Sequence, residues 1–218
     1  MQTLAEDLFL LACDGATGKA HISTTYLDLG LGGALLLELV LRERIALVDE
    51  HVAVVDPAPV GDSLLDDALR DIASNTRRRE PDYWVRHFAK GTHSAVRTRL
   101  VAAGVWSDDA HKVFGLIAVY HTHQVDDRIE HELVRRLHDA VVLGHRPSRE
   151  TAAVVSLALA VGLESHLFPR SDRRAIRHRM REIADGEWVG AAVRHVIDAI
   201  EATLGTATST WPAAEAGT

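Results

Sequence analysis

The sequence predicts a mainly α-helical protein: one domain of about eight helices around buried central ones, with two small β-hairpins. Three observations predict it. Apolar residues recur at spacings of three and four along most of the 218 residues. Alternating apolar and polar residues are confined to two short stretches. Aromatic residues make up only 5% of a chain that is 47% hydrophobic, so Leu, Val and Ala must build the core.

Thr3-Leu4-Ala5-Glu6 has capping-box spacing and opens a helix to about residue 12, with Leu4, Leu8 and Leu11 on one face. Asp14-Gly15 and Gly18 read as a turn, and 20–23 as a short extended piece. Thr25-Tyr26-Leu27-Asp28 repeats the capping-box spacing. Leu27, Leu31, Leu35 and Leu39 follow at intervals of four, with Leu36 and Val40 widening the stripe. A helix apolar nearly all round belongs at the centre of a fold. Gly30, Gly32 and Gly33 lie inside it, each at a helix penalty of about 1 kcal/mol against Ala. Close helix packing, or a ligand on bare backbone, is the reason to accept that penalty.

Residues 45–48 and 51–55 alternate around Asp49-Glu50, a hairpin without the favoured glycine. Ser63 starts a helix with Leu65, Leu69 and Ile72 inward, and Arg77, Arg78 and Arg79 follow in the connection. Pro81 opens a helix that ends before Gly91. Another runs over 92–103 and stops at Gly104. Residues 105–106 and 112–120 read as a second hairpin, with 107–110 as its turn. The rest is helical: 126–143, with Ile129, Leu133, Val134, Leu137 and Val141 inward, then 148–166, 171–184 and 187–204. The domain is expected over 1–205, with 206–218 as a disordered tail.

The net charge is −7, which argues against nucleic acid as a partner. One cysteine, Cys13, excludes an intramolecular disulfide and a cysteine-built zinc cage. The first residues carry Glu6 and Asp7 with no basic region, so no secretory leader is expected. The apolar stretch 26–41 is interrupted by Asp28 and Glu38 and falls short of the roughly 20 residues of a spanning helix. A cytoplasmic location is expected, with peripheral attachment to the cytosolic face of a membrane as its variant. Of 24 basic residues only Lys19, Lys90 and Lys112 are lysine, a bias that points to a G+C-rich bacterial genome.

The catalytic motifs that the sequence approaches are incomplete. Gly15-Ala16-Thr17-Gly18-Lys19-Ala20 resembles a phosphate loop, but Cys13 and Ala20 stand where the motif needs Gly and Ser or Thr. His131-Glu132-Leu133-Val134-Arg135 begins like a zinc helix and ends in Arg. His121, His123, Asp126 and Asp127 could hold a metal on one loop, the basis of a minor reading as a metal-dependent enzyme. No nucleophile elbow is present. No catalysis, cofactor or metal is expected.

Two basic groups remain. Arg170, Arg173, Arg174, Arg177 and Arg181 share a helical face, which reads as a solvated face or as a dock for an anionic surface. Lys90, His93, Arg97 and Arg99 form a looser group able to present cations to a phosphate. Positions 90, 93 and 97 share a face only if the helix continues through Gly91.

Four ordered stretches carry a family resemblance: Leu4-Ala5-Glu6-Asp7-Leu8-Phe9-Leu10-Leu11 with Asp14 and Gly18; Gly33 through Ile45; Pro59-Val60-Gly61-Asp62-Ser63-Leu64-Leu65-Asp66 through Leu69; and Arg97 through Val105. Together they resemble the Golgi phosphoprotein 3 family of phosphatidylinositol-4-phosphate adaptors, in its shorter bacterial branch. The resemblance implies one mostly helical domain and no catalysis. It also implies a basic pocket for a lipid headgroup and a grip on cytosolic protein tails. The family's pocket uses a tryptophan and three arginines, and the matching positions here are Ser23, Gly32, Lys90 and His93. Only Lys90 keeps a full positive charge there, and the expected partner is a phosphoinositide or other anionic phospholipid headgroup, with a cytosolic protein tail as a further class.

The leading expectation is therefore a peripheral-membrane adaptor. Its headgroup site would comprise Ser23, Gly32, Lys90, His93 and Arg97, and binding would strengthen as pH falls through His93. The alternative is a protein scaffold that self-associates through the 112–120 hairpin.

Overall fold

Thr24–Leu41 forms an 18-residue helix (α2) whose residues from Leu29 to Leu39 are all buried. It is the axle of the molecule. The computed structural model describes residues 2–113, 117–169, 171–186 and 191–209. Around α2 pack Leu4–Ala12 (α1), Ser63–Ser74 (α3), Pro81–Ala102 (α4), Arg149–Ala160 (α6) and Ala191–Ser209 (α9). Arg128–Val141 (α5) closes over α1 and α6, and Arg173–Ala184 (α8) packs on α6. A one-turn helix, Glu164–Leu167 (α7), links α6 to α8. By length and composition α2 would cross a membrane, yet it lies inside this helical shell.

The glycines of α2 are packing devices. A Cβ on Gly32 would lie 2.4 Å from the Val85 carbonyl oxygen and 2.6 Å from the Ala89 nitrogen of α4. On Gly30 it would meet Val161, and on Gly33 Ile200 of α9. Both reasons offered by the sequence were open at Gly32, and the helix–helix crossing is the one the structure displays.

The capping box at Thr3 forms: its hydroxyl accepts from the Glu6 N–H at 3.3 Å, and the Glu6 carboxylate accepts from the Thr3 N–H at 2.9 Å. The box expected at Thr25–Asp28 does not. Helix α2 begins two residues earlier, after Ser23 rather than Thr25, and the Ser23 side chain makes no cap hydrogen bond. Helix α4 is two helices joined at a break, as expected at Gly91: Lys90 has ψ 109° and Gly91 has φ 88°.

The first hairpin pairs Ile45–Val48 (β1) with His51–Val54 (β2), antiparallel, with Val48 opposite His51. Asp49 (φ 49°) and Glu50 (φ 64°) both turn left-handed, the conformation a two-residue hairpin demands even without glycine. The second pairs Trp106–Val113 (β3) with Ile117–Gln124 (β4). Residues 107–110, expected as its turn, lie within β3 instead. The link at 114–116 is outside the described residues.

Further corrections fall in the C-terminal half. Helix α6 stops at Ala160 rather than reaching 166, because Gly162 takes φ 82° and redirects the chain into α7. Val134, expected inward on α5, is 38% exposed, and Ala140 takes the buried place. Helix α9 extends to Ser209, past the expected end at 204. Residues 210–218 lie outside the described residues.

Candidate functional site

The break at Lys90–Gly91 sorts the expected site residues. His93 and Arg97, one helical turn apart on the second half of α4, face the corner where α1 ends and α2 begins. His93 Nδ1 is 3.2 Å from Asp28 Oδ1, close enough for an ion pair but not aligned as a hydrogen bond. Its ring also meets Phe9 of α1 edge-on, centroids 5.4 Å apart. Arg97, half-buried, lies near Cys13. Burial pushes the Cys13 thiol up to about 12, and the Arg97 guanidinium pulls the other way. A thiol in that state is no nucleophile.

Ser23 stands exposed at the start of α2. The first N–H groups of any helix lack intrahelical acceptors, and the aligned peptide dipoles place positive potential there. The Ser23 hydroxyl makes no cap hydrogen bond, so the N–H groups at the start of α2 have no side-chain cap from it.

Lys90 is elsewhere. It is exposed and lines a cleft of about 530 Å³ between α3 and α4, together with Leu64, Asp67, Asp71, His87 and Ala95. Two carboxylates therefore share the cleft with the lysine. Because the helix is broken, Lys90 does not share a face with His93. Gly32 lies buried in the crossing behind both.

Arg99, in the same expected basic group, is a structural bridge. Its Nε donates to Glu6 Oε1 at 3.0 Å, and its Nη atoms donate to Asp62 at 2.7 and 2.5 Å. On α8, Arg177 is paired with buried Glu164, and Arg179 donates to the Ala140 carbonyl at 3.2 Å. Arg173, Arg174 and Arg181 are exposed. Arg170 lies outside the described residues. At the His-rich loop, Asp126 is held by Arg128, its Oδ2 accepting from Nη2 at 2.6 Å. Among the described residues no group of three or more His, Cys, Asp or Glu is arranged to hold a metal ion. The side chain of His121 falls outside that description. The 15–20 segment is a turn: Asp14 Oδ1 accepts from the Thr17 N–H (2.8 Å) and hydroxyl (2.7 Å).

The family model described as Golgi phosphoprotein 3 (GPP34) matches residues 4–200. The chain belongs to the Golgi phosphoprotein 3 family. In this family member the match spans α1 through the first half of α9, so it takes in the corner and the Lys90 cleft alike.

Asp28 was missed as a site residue from the sequence. Its spacing suggested a capping box, and only the packing of α4 on α2 brings it to His93. Phe9 is 1% exposed and belongs to the core, yet its ring also meets the imidazole edge-on. The order Ser23–Asp28 on one helix with His93–Arg97 on another holds no periodic signal that pairs them.

Proposed function

We propose that this Golgi phosphoprotein 3 family member is a non-catalytic peripheral-membrane adaptor. It binds anionic phospholipid or phosphoinositide headgroups at the corner formed by Ser23, His93 and Arg97. Lys90 stands across the break in α4, and Gly32 sets how closely α2 and α4 approach behind the site. Protein tails are its second class of partner. The observation that carries the reading is two basic side chains one turn apart on α4, of which His93 lies 3.2 Å from Asp28 on α2, a helix whose start has no side-chain cap bond from Ser23. A phosphate there gains charge-assisted hydrogen bonds, which shorten and strengthen when the acceptor is ionised.

Co-sedimentation tests it, with vesicles of phosphatidylcholine alone or with phosphatidylglycerol, cardiolipin or phosphatidylinositol-4-phosphate, at low and high salt. Salt-sensitive sedimentation with the anionic vesicles is expected, weakened about tenfold by Arg97→Gln. Asp28→Asn, which removes the competing carboxylate, strengthens it. Equal sedimentation with neutral and anionic vesicles, or none, refutes the reading.

One observation favours a scaffold reading. β3 and β4 form a two-stranded sheet with no third strand among the described residues, and only the end of β4 is engaged, its Gln124 N–H donating to the Gly15 carbonyl at 2.6 Å. The outer edges of such a sheet accept a further strand from a second copy. A strictly monomeric mass at micromolar concentration counts against it.

A further inference from the structure

The connection between α3 and α4, residues 75–80, carries three consecutive arginines that the headgroup site does not use. Two clefts of about 440 and 280 Å³ flank it, and Asn75, Thr76, Arg77 and Trp84 line both. Trp84 is 2% exposed, and its Nε1 donor has no hydrogen-bond acceptor. Buried donors without acceptors are rare, because each forfeits its solvation with nothing in return. Trp106 shares the orphan N–H but is packed edge-on against Phe9, away from this connection.

Arg79 lines the larger cleft and has a second orphan donor, its buried Nε, while its guanidinium lies over the Tyr83 ring at 4.2 Å. The cation–π contact fixes the guanidinium plane without using its hydrogen-bond donors. Arg77 is exposed and makes no ion pair among the described residues; only its backbone N–H is taken, by Asn75 Oδ1 at 2.9 Å. The third arginine is spent: Arg78 donates to Asp49 at 3.0 Å and to the Val48 carbonyl at 2.9 Å. One carboxylate, Asp71, borders the larger cleft, and His87 Nε2 lies 3.3 Å from it. The clefts also sit beside the first turn of α4, which carries Asp82 and whose Glu80 makes no side-chain cap bond.

We propose that this connection is an oxyanion site of phosphate chemistry, with Trp84 Nε1–H, Arg79 and Arg77 as donors. Two cations and a neutral indole donor match a tetrahedral oxyanion, which offers several acceptor oxygens and carries negative charge. A neutral acceptor would leave two guanidiniums without a counter-charge. The phosphate can come from solution or from the phosphomonoester of a lipid headgroup. This site is independent of the Ser23–His93–Arg97 corner.

Calorimetric titration of the full chain with inorganic phosphate, at ionic strength held constant with chloride, tests it. Saturable binding is expected, weakened about tenfold by Arg77→Gln, which is exposed and does not threaten folding. Trp84→Phe keeps the ring, removes the donor and weakens binding to a similar degree. Arg97→Gln leaves phosphate binding unchanged, so a failure at the corner and a failure here are told apart. Competition by vesicles containing phosphatidic acid, lost in Arg77→Gln, assigns the phosphate to a lipid; its absence, with phosphate binding intact, assigns it to solution. No saturable phosphate binding overturns the proposal, as does binding equal in wild type, Arg77→Gln and Trp84→Phe.

Discussion

Asp7 lies on α1 with 8% of its surface exposed, and its Oδ1 has no donor. Burial pushes its carboxyl up to about 7, Arg136 of α5 opposes the rise, and Glu38 and Glu6 add to it. In the unfolded chain the group titrates near its ordinary value of about 3.9. Between those values the folded protein keeps a proton that the unfolded chain has released. Stability therefore falls as pH rises across that window, by about 1.4 kcal/mol per pH unit for this group, and is level above it. Burial raises Glu38 as well, which acts in the same direction. Asp7→Asn should melt at a higher temperature than wild type at pH 8, with the difference vanishing near pH 4. Parallel melting curves across that range would show that Asp7 does not titrate inside the fold.

Elements meet here through bare backbone. The α2–α4 crossing at Gly32 places a carbonyl where any Cβ would stand, so nothing flexible can give way. Gly32→Ala should destabilise by about 3 kcal/mol, the upper part of the range for overpacking. Gly205 is the contrasting case. It lies in α9 with nothing among the described residues within 4 Å of where a Cβ would stand, so Gly205→Ala should stabilise by up to about 1 kcal/mol. Denaturant midpoints of the two variants check both signs. If Gly32→Ala is as stable as wild type, α2 and α4 do not cross as closely as described.

On the scale of the whole molecule, one guanidinium ties three helices together. Arg99 of α4 reaches Glu6 in the cap of α1 and Asp62, the N-cap of α3. Burial alone would raise the Asp62 carboxyl, but the Arg99 hydrogen bond and the Leu64 and Leu65 N–H groups outweigh it and hold it low. That contribution is present at neutral pH and is lost as pH falls through the lowered folded value. Arg99→Met leaves buried Glu6 and mostly buried Asp62 without their shared cation. A loss of about 3 kcal/mol in urea unfolding at pH 7 is expected, the range for breaking a buried pair from one side. A loss smaller than that of an exposed pair such as Arg70–Asp67, which is near zero, would show that the bridge does not hold the helices.

By itself the sequence determined what local chemistry controls. The Thr3–Glu6 box, the apolar stripe of α2, the Asp49-Glu50 hairpin, the Pro81 start and the Gly91 break follow from propensity, period and capping, which act within a few residues. The ordered stretches from Leu4 to Val105 also determined the family. Tertiary structure alone decided what depends on distant partners. It set Ser23 rather than Thr25 as the start of α2, turned Gly162 out of a helix, and pulled Arg99 out of the basic group into a salt bridge. It also placed His93 and Arg97 at one corner and Lys90 in another cleft. The physical reason is common to these cases. A charge or an uncapped helix end takes its role from the group packed against it, and that group lies dozens of residues away, where no periodic pattern in the chain can announce it.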